Sequence, residues 1–448
     1  MTAAPALLCA LLLAPLAAAA QPAFLSLSDI HFDPYYDPTL MNQLVAADAS
    51  GWAAIFAGSQ ITSPSAYGSD TNYPLLRSML GDAGHRAAQA RFVVVTGDFL
   101  SHDFEQNFRA YAPDKSPAAF QSFTTKTIQF LALQLQQTFP GAAIYPVIGN
   151  NDSDCGDYNV TPDGWFLAAF AAAFAPSSHS RSFDAQVASG GYYRIDRAAD
   201  MVVIGINSIF FSPKFTNPCG TTSGNDYGAR QLKWLAAELA AAKRRGKHVW
   251  LLYHIPPGID AYKTISGGGS CPVTPALFWE SGYTATFDAL LQQYASTIAV
   301  SIAGHTHMDD FRVLYDASAA PSNAVRIAPS VSPMFENNPA YAIVDYSRRS
   351  AAVLDYAVYS LPLTSKTPQW SREYAFGKAY GQKAYNAATL AAVRTAIQSS
   401  ASTRSLYMLY YAVSSPHGGV TASTWKAYWC ATGAQTGAAF QSCYCPPS

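Results

Sequence analysis

The sequence is poor in charge. Lysine and arginine number 28 and aspartate and glutamate 29, so charged residues make up 13% of the chain and the formal net charge is −1. Because half of the residues are hydrophobic, this composition argues against an intrinsically disordered chain. It also offers no basic surface of the kind that binds a nucleic-acid polymer or an anionic membrane. At 448 residues, the chain can form one large α/β domain with an appendage.

Apolar runs long enough to span a membrane are missing outside the N-terminus. Residues 7–16 are apolar and residues 18–20 are alanines, which offer a small-residue cleavage site. This pattern predicts a secretory signal peptide at residues 1–20, although its first part lacks the usual lysine or arginine. The run is short for a membrane anchor. We therefore expect a secreted or periplasmic protein without a stable membrane span.

Cysteine is scarce as well, and none has the spacing of a zinc finger. Cys9 lies in the predicted signal peptide. The six that remain are Cys155, Cys219, Cys271, Cys430, Cys443 and Cys445. An even number of cysteines in an exported chain predicts disulfide bonds.

What the chain does contain is a repeated alternation of apolar strands and helices. Strands are predicted at residues 24–28, 92–96, 143–148, 247–253 and 298–302, and helices at 75–89, 120–139, 227–245 and 278–294. Strands at 324–328, 341–346 and 351–356 follow, and the segment from residue 371 onwards has helical periodicity. We expect an α/β catalytic domain at residues 21–365 and a small helical C-terminal subdomain at 366–448.

The first five of the predicted strands end in turns that carry metal-ligand side chains. These are Asp29, His31, Asp98, Asn150, His254, His305 and His307. Because open α/β sheets place ligands at the carboxyl ends of their strands, these side chains are expected to converge. Turn chemistry alone explains Gly, Asp and Asn, but it does not call for four histidines.

Nitrogen and oxygen ligands of this kind suit zinc, manganese or iron better than calcium or magnesium. Asp98 can place one carboxylate oxygen on each of two ions. Two ions about 3.5–4 Å apart can hold a bridging hydroxide and stabilise an in-line displacement at phosphorus. The residues therefore predict two divalent metal ions, zinc first and manganese or iron as alternatives.

In this order, the motifs resemble those of the calcineurin-like metallophosphoesterases. They are Asp29-x-His31, Gly97-Asp98, Gly149-Asn150-Asn151-Asp152, His254 and Gly304-His305-x-His307. Residues 29–34, residues 254–258 and the tail rich in Trp, Tyr and Cys are similar to the acid sphingomyelinase-like phosphodiesterases. Few residues lie between the expected cleavage site and Asp29, so the likeness is to members without a saposin domain.

This resemblance implies a four-layered α/β/β/α metallophosphoesterase sandwich. It assigns to one metal ion Asp29, His31, Asp98 and His307, and to the other Asp98, Asn150, His254 and His305. His102 matches a histidine that contacts the phosphate or protonates the leaving group, the alternative being a surface histidine that caps a helix. The resemblance also implies a disulfide between Cys219 and Cys271, and it pairs Cys430 with Cys443 or Cys445.

Asn151 departs from the pattern, because the family usually has histidine at this position. Asparagine can donate a hydrogen bond but cannot supply a proton near neutral pH. Either His102 acts alone as the general acid, or the leaving group needs little protonation, as in a phosphoanhydride. Endopolyphosphatase-like members are similar in carrying Gly-Asn-Asn-Asp.

We therefore expect a secreted, monomeric hydrolase of phosphoric diesters or phosphoanhydrides of the nucleotide or choline-phosphate type. Its substrate would be a small molecule or a lipid. Three alternatives stay open: a sphingomyelin phosphodiesterase, an endopolyphosphatase-like enzyme or phosphomonoesterase, and an inactive binding protein on the same scaffold.

Overall fold

The computed structural model describes residues 21–198, 200–216 and 225–446. The predicted signal peptide and Cys219 lie outside these ranges. The strands are β1 Ala23–Leu27, β2 Phe92–Val95, β3 Ala143–Pro146, β4 Tyr193–Ala198, β5 Met201–Gly205, β6 His248–Leu252, β7 Ile259–Asp260, β8 Ala276–Leu277, β9 Ile298–Ala303, β10 Asp310–Tyr315, β11 Pro321–Ile327, β12 Ala340–Tyr346, β13 Val353–Ser360 and β14 Ser371–Ala375.

The α-helices begin where the sequence supplies caps. Asn72 caps the third helix and Ser116 caps the fifth, and each is followed by a proline in the first turn. The helices are α1 Met41–Ala46, α2 Trp52–Ala57, α3 Tyr73–Arg86, α4 Phe104–Tyr111, α5 Pro117–Thr138, α6 Trp165–Ser178, α7 Phe183–Gly190, α8 Tyr227–Arg244, α9 Ala261–Ile265, α10 Ser281–Gln293, α11 Phe376–Tyr380, α12 Ala387–Ser399, α13 Ala401–Tyr411, α14 Trp425–Ala431 and α15 Gly437–Tyr444.

Two six-stranded sheets form the centre of the molecule. The first has the order β14-β13-β12-β1-β2-β3 and the second the order β10-β11-β9-β6-β5-β4. Strands β1, β2 and β3 are parallel, as are β5, β6, β9 and β11, so within each sheet these strands end at one edge. The outer strands β12, β13 and β14 continue the first sheet in antiparallel pairs.

The sheets pack face to face through large aromatic side chains. Trp250 of β6 lies 4.7 Å from Phe24 of β1 and 5.2 Å from Tyr346 of β12, measured between ring centroids. All three side chains are buried. Helix α6 covers the first sheet beside β3, and α8 and α12 cover the second beside β6 and β11. These four layers confirm the predicted α/β/β/α fold class.

Strands β10 and β14 of the two large sheets were not anticipated from the sequence. Strand β10, directly after the His305 and His307 turn, pairs with β11. Strand β14 lies in the segment that was expected to be helical, where Ser371–Ala375 pairs with β13 at the edge of the first sheet. Its short, polar sequence carries little hydrophobic periodicity, so pairing with a neighbour rather than local propensity determines its structure.

The disulfide predicted between Cys219 and Cys271 is wrong, because Cys271 is bonded to Cys445. Helix α15 brings the end of the chain back to the loop that carries Cys271. Tyr444 donates a hydrogen bond from its hydroxyl to the Gly269 carbonyl over 3.0 Å, which holds the two segments together. Cys430 bonds to Cys443, one of the two predicted partners.

Within residues 21–198, 200–216 and 225–446, no helix combines the length and the apolar character that crossing a bilayer requires.

Candidate metal centre

The seven predicted ligand residues lie just beyond the carboxyl ends of five strands. Three of these strands belong to the first sheet and two to the second. Asp29 and His31 follow β1, Asp98 follows β2, Asn150 follows β3, His254 follows β6, and His305 and His307 follow β9. The structure brings all seven together where the edges of the two sheets meet.

The turns that present these side chains have an unusual backbone. Five of the seven residues have a positive φ: Asp29 at 49°, His31 at 42°, Asp98 at 54°, His305 at 72° and His307 at 62°. Residues with a Cβ seldom adopt this left-handed conformation, which costs about 1 kcal/mol or more per residue. Such strain concentrates at functional sites.

Close packing between neighbouring turns explains two of the glycines. A Cβ at Gly149 would lie 2.1 Å from Asp98 Oδ1, and a Cβ at Gly304 would lie 2.0 Å from Ser28 Oγ and 2.7 Å from Asp29 Oδ2. Neither position has room for a side chain. The glycines thus allow turns from different strands to approach closely enough for their ligands to meet.

One group of ligands gathers around His31. Its Nδ1 lies 3.0 Å from the Leu100 carbonyl oxygen and so carries the hydrogen that is donated there, which leaves a lone pair on Nε2. That Nε2 lies 3.0 Å from His307 Nε2 and 3.3 Å from Asp98 Oδ2. Asp29 Oδ1 lies 3.6 Å from His307 Nε2.

A second group gathers around His254. Its Nδ1 donates to the Thr96 carbonyl oxygen over 2.7 Å, which leaves a lone pair on Nε2 when the ring is neutral. That atom lies 3.1 Å from Asp98 Oδ2, 3.0 Å from Asn150 Oδ1 and 3.3 Å from His305 Nδ1. Asp157 accepts a hydrogen bond from Asn150 Nδ2 over 2.7 Å, which fixes the amide so that its oxygen faces His254.

When His254 is neutral, lone pairs therefore point at one another in both groups. His254 Nε2 and Asn150 Oδ1 are both acceptors, and His31 Nε2 faces Asp98 Oδ2 in the same way. A cation between them turns this repulsion into coordination, so the residues fit a divalent metal ion. Asp98 Oδ2 belongs to both groups. The fit rests on the donor atoms and their orientation in the described residues.

Burial sets the protonation of the histidines. It lowers the pKa of His31 to about 4, with the neighbouring His102 adding to the effect. It also holds the pKa values of His305 and His307 well below the usual range. His254 behaves differently: burial opposes its charge, but the Asp98 carboxylate raises the pKa of His254 to about 9. Without a metal, one proton at His254 thus offsets the charge of Asp98.

His102 lies beside the first group, with its ring stacked on that of His31 at 4.1 Å between centroids. Asp70 accepts from His102 Nδ1 over 3.0 Å and from its backbone N–H over 2.7 Å. Burial opposes a charge on the imidazole, but the hydrogen bond to Asp70 raises the pKa of His102. Ser332 in turn donates to Asp70 over 3.0 Å. This arrangement orients His102 and favours its protonated form.

Asn151 is bound to Asp98. Its backbone N–H donates to Asp98 Oδ1 over 2.8 Å, and its side-chain Nδ2 donates to Asp98 Oδ2 over 3.0 Å. Its amide therefore orients the shared carboxylate. The next residue, Asp152, supports the same turn by accepting hydrogen bonds from the backbone of Phe99 and Leu100.

A cavity of about 530 Å³ lies beside the second group and includes His305 in its wall. Phe278 and Phe335 flank the histidines, with ring centroids 5.3 Å from His305 and 4.6 Å from His307. The wall continues through Lys214, Arg312, Tyr411 and Tyr428. Helices α13 and α14 carry the last two residues, so the C-terminal helices help to form this cleft.

Several residues around the site were not singled out from the sequence. Asp70 lies in a segment without regular periodicity, and it reaches His102 only because Phe32 pairs with Thr71 and Leu100. Tyr158 and Asp157 lie in the loop after Asn150. The sequence signal available for them was proximity to the Gly-Asn-Asn-Asp turn.

Comparison with known proteins agrees with the motifs. The chain is 25% identical over 374 residues to the cyclic GMP-AMP phosphodiesterase SMPDL3A of Rattus norvegicus, covering 80% of this chain and 76% of the relative. It is 25% identical to the acid sphingomyelinase-like phosphodiesterase 3b of Mus musculus, covering 88% and 83%. It is 27% identical to the sphingomyelinase phosphodiesterase D of Dictyostelium discoideum, covering 70% and 66%. No protein-family profile matches the chain.

Among solved structures, a dimetal phosphatase from Danio rerio aligns with 75% of this chain and 95% of its own, at 13% identity and a TM-score of 0.42. A purple acid phosphatase from Lupinus luteus aligns with 78% and 53%, at 9% identity and a TM-score of 0.38.

The sequence relatives and the cluster of histidines and carboxylates define a metal-dependent phosphoester hydrolase. Within that class the chain is homologous to the acid sphingomyelinase-like phosphodiesterases, which confirms the predicted resemblance.

Proposed function

We propose that the chain is a phosphodiesterase with a binuclear metal centre. One ion would be held by Asp29, His31, Asp98 and His307, and the other by Asp98, Asn150, His254 and His305. The observation that carries this proposal is the position of Asp98 Oδ2, 3.3 Å from His31 Nε2 and 3.1 Å from His254 Nε2, as a member of both lone-pair groups. The donor set favours zinc, with manganese or iron as alternatives.

Bound metal would supply a hydroxide nucleophile and charge stabilisation for an in-line displacement at phosphorus. The protein positions the remaining groups. Asp70 holds His102 with Nδ1 as donor, so Nε2 is the nitrogen available to protonate the leaving oxygen. Asn151 holds the Asp98 carboxylate in place through two hydrogen bonds. His102 is then the single general acid of the reaction.

Phosphoric diesters and phosphoanhydrides of the nucleotide or choline-phosphate type are the substrates that we propose. The names of the relatives support diesters, since they include a cyclic GMP-AMP phosphodiesterase and a sphingomyelinase phosphodiesterase. Asn151 is hydrogen-bonded to Asp98 and cannot supply a proton. This supports substrates whose leaving groups need little protonation. Sphingomyelin, polyphosphate and phosphomonoesters remain alternatives.

Metal analysis and turnover of bis-p-nitrophenyl phosphate test the proposal. We expect about two metal ions per chain and metal-dependent hydrolysis. Assays with ATP, CDP-choline and sphingomyelin micelles then identify the substrate. A purified chain with neither bound metal nor turnover would favour the alternative of an inactive binding protein.

We further propose that the protein is exported and monomeric. The disulfides Cys271–Cys445 and Cys430–Cys443 are compatible with an oxidising compartment. N-terminal sequencing of the exported protein, expected to begin at Gln21, and its mass by size-exclusion chromatography with light scattering test these two points.

A further inference from the structure

Tyr158 lies beside the second ligand group. The loop that follows Asn150 closes when the Tyr158 N–H donates to the Asn150 carbonyl oxygen over 2.9 Å. Tyr158 adopts a left-handed conformation with a φ of 65° and is 6% exposed. Its hydroxyl oxygen lies 3.4 Å from His305 Nε2 and 3.2 Å from Lys214 Nζ. All three side chains line the cleft.

The neighbours of this hydroxyl determine whether its oxygen donates or accepts each hydrogen bond. The Lys214 ammonium can only donate. His305 Nδ1 faces His254 Nε2 at 3.3 Å and is its metal-binding nitrogen in the proposed centre, so His305 Nε2 carries hydrogen and also donates. The phenol oxygen then accepts two hydrogen bonds. A phenol is protonated at neutral pH, so the hydroxyl keeps its own hydrogen, which is left for a partner in the cleft.

Two other polar side chains near the cleft already have hydrogen-bond partners. Asn151 is bound to Asp98 through both its backbone and its side chain. Arg312 is held by Asp310 over 2.5 Å, which offsets its charge. Lys214 packs over the Tyr158 ring, with Nζ 4.3 Å from the centroid, and so places a positive charge next to the hydroxyl.

We propose that Tyr158 is a substrate-binding residue whose hydroxyl donates a hydrogen bond to a phosphoryl oxygen, with Lys214 orienting that hydroxyl. Lys214 also contributes positive charge near the oxygen. No proton is transferred from Tyr158, since the hydrogen bond stabilises charge that stays on the phosphoryl group. The inference rests on the proposed phosphodiesterase function and adds to it a binding group beside the second ligand group, whereas His102 lies beside the first.

Tyr158→Phe and Lys214→Met test this role in the full, metal-loaded chain. Tyr111→Phe and Lys263→Met are matched controls, because both side chains are exposed and lie outside the cleft wall. For each variant, metal content, the dissociation constant for inorganic phosphate and kcat/KM are measured. The kinetic substrates are one diester with a p-nitrophenolate leaving group and one with an alkoxide leaving group.

We expect Tyr158→Phe to weaken phosphate binding by about tenfold or more, since a hydrogen bond to a charged group is lost. The fall in kcat/KM should be similar for both leaving groups, with unchanged metal content. Lys214→Met should show a smaller loss of the same kind, and the controls none.

Wild-type phosphate affinity and kcat/KM in Tyr158→Phe would overturn the inference. So would a loss confined to the alkoxide substrate, which would place the hydroxyl on the leaving oxygen, or a matching loss of metal, which would make its role structural. If the wild type hydrolyses no diester but Tyr158→Phe still weakens phosphate binding, the proposed function fails and this inference stands. A metal-loaded wild type that neither binds phosphate nor turns over a diester overturns both.

Discussion

Asp98 is the residue at which the two ligand groups meet. Its carboxylate faces His31 on one side and His254 on the other, and Asn151 holds it in this position. A residue shared in this way couples the two halves of the site. Its replacement should affect both halves at once, whereas loss of a terminal ligand should affect one.

We predict that Asp98→Asn removes both metal ions and lowers kcat/KM for bis-p-nitrophenyl phosphate by at least about a thousandfold, because the charge shared by the two ions is lost. Elemental analysis and kinetics of the purified variant check this. Asp114→Asn, on the surface, is the control. Retention of one full equivalent of metal with partial activity would contradict the bridging role.

Asp70 orients His102, the proposed general acid, through two hydrogen bonds. Asp70→Asn removes the charge that orients His102 and favours its proton, so hydrolysis of a diester with an alkoxide leaving group should fall by about 10- to 100-fold. A p-nitrophenyl ester, whose leaving group needs little protonation, should lose much less. Equal losses for both substrates in steady-state assays would argue against general-acid catalysis by His102.

The ligand residues could be predicted from the sequence because each follows an apolar strand and glycine recurs beside several of them. Asp70 and Tyr158 could not. They reach the site through a surface segment and a loop whose paths depend on tertiary contacts, such as the pairing of Phe32 with Thr71. The left-handed backbone at the ligands was equally hidden, since side-chain type does not determine φ.

At the scale of elements, the turns depend on contacts between neighbouring strands. The β9 turn packs against the β1 turn so tightly that Gly304 has no space for a Cβ beside Ser28 and Asp29. The local sequence shows the glycine and the turn. It does not show which turn from the other sheet lies against it, and that contact sets the ligand geometry.

We therefore predict that Gly304→Ala lowers stability by about 1–3 kcal/mol through overpacking and displaces Asp29, with loss of metal. Thermal unfolding and elemental analysis measure both effects. Gly282→Ala in helix α10 is the matched control, because a Cβ there meets nothing within 4 Å and alanine favours a helix. A Gly304→Ala protein with normal metal content would show that this contact does not position Asp29.

Helix α10 carries a half-buried acid, Asp288. Asp288 Oδ1 is buried without a hydrogen-bond partner among the described residues, and burial raises the pKa of Asp288 to about 7. The folded chain therefore keeps a proton there that the unfolded chain releases near pH 4. Because only the unfolded chain ionises this group in that range, stability falls as pH rises from about 4 to about 7.

Asp288→Asn should remove this penalty. The variant should match the wild type near pH 4 and become more stable by an increasing amount up to about pH 7, reaching at most about 4 kcal/mol. Unfolding in denaturant at pH 4, 5.5 and 8 measures the trend. The exposed Asp184→Asn serves as control. A difference that does not vary with pH would refute the assignment to Asp288.

At the scale of the whole molecule, the C-terminal helices close the chain onto the cleft. Helices α13 and α14 contribute Tyr411 and Tyr428 to its wall, and the Cys271–Cys445 bond ties the last helix to the loop after α9. The convergence of strand ends could be predicted because parallel strands share an edge. The partner of Cys271 could not, because it depends on where the C-terminal helices turn back.

Replacing Cys271 and Cys445 together by serine should lower stability by about 2–5 kcal/mol, because the bond closes a long loop in the unfolded chain. Metal content should stay unchanged, since all seven proposed ligands lie in the strand-end turns. Peptide mapping of the wild type by mass spectrometry checks the pairing. Metal loss in the double variant would show that the C-terminal helices also support the centre.

The left-handed backbone at five of the ligand positions also indicates that selection has kept these side chains. At Asp29, His31, Asp98, His305 and His307, glycine would adopt the observed backbone at a lower conformational cost, by about 1 kcal/mol each. In a scaffold that had lost its chemistry, mutation to glycine at any of these positions would relieve this backbone strain. Mutation would then erode the ligands within a modest number of substitutions. A chain that keeps a carboxylate or an imidazole at all five positions bears a continuing stability cost, which selection for metal-dependent catalysis explains.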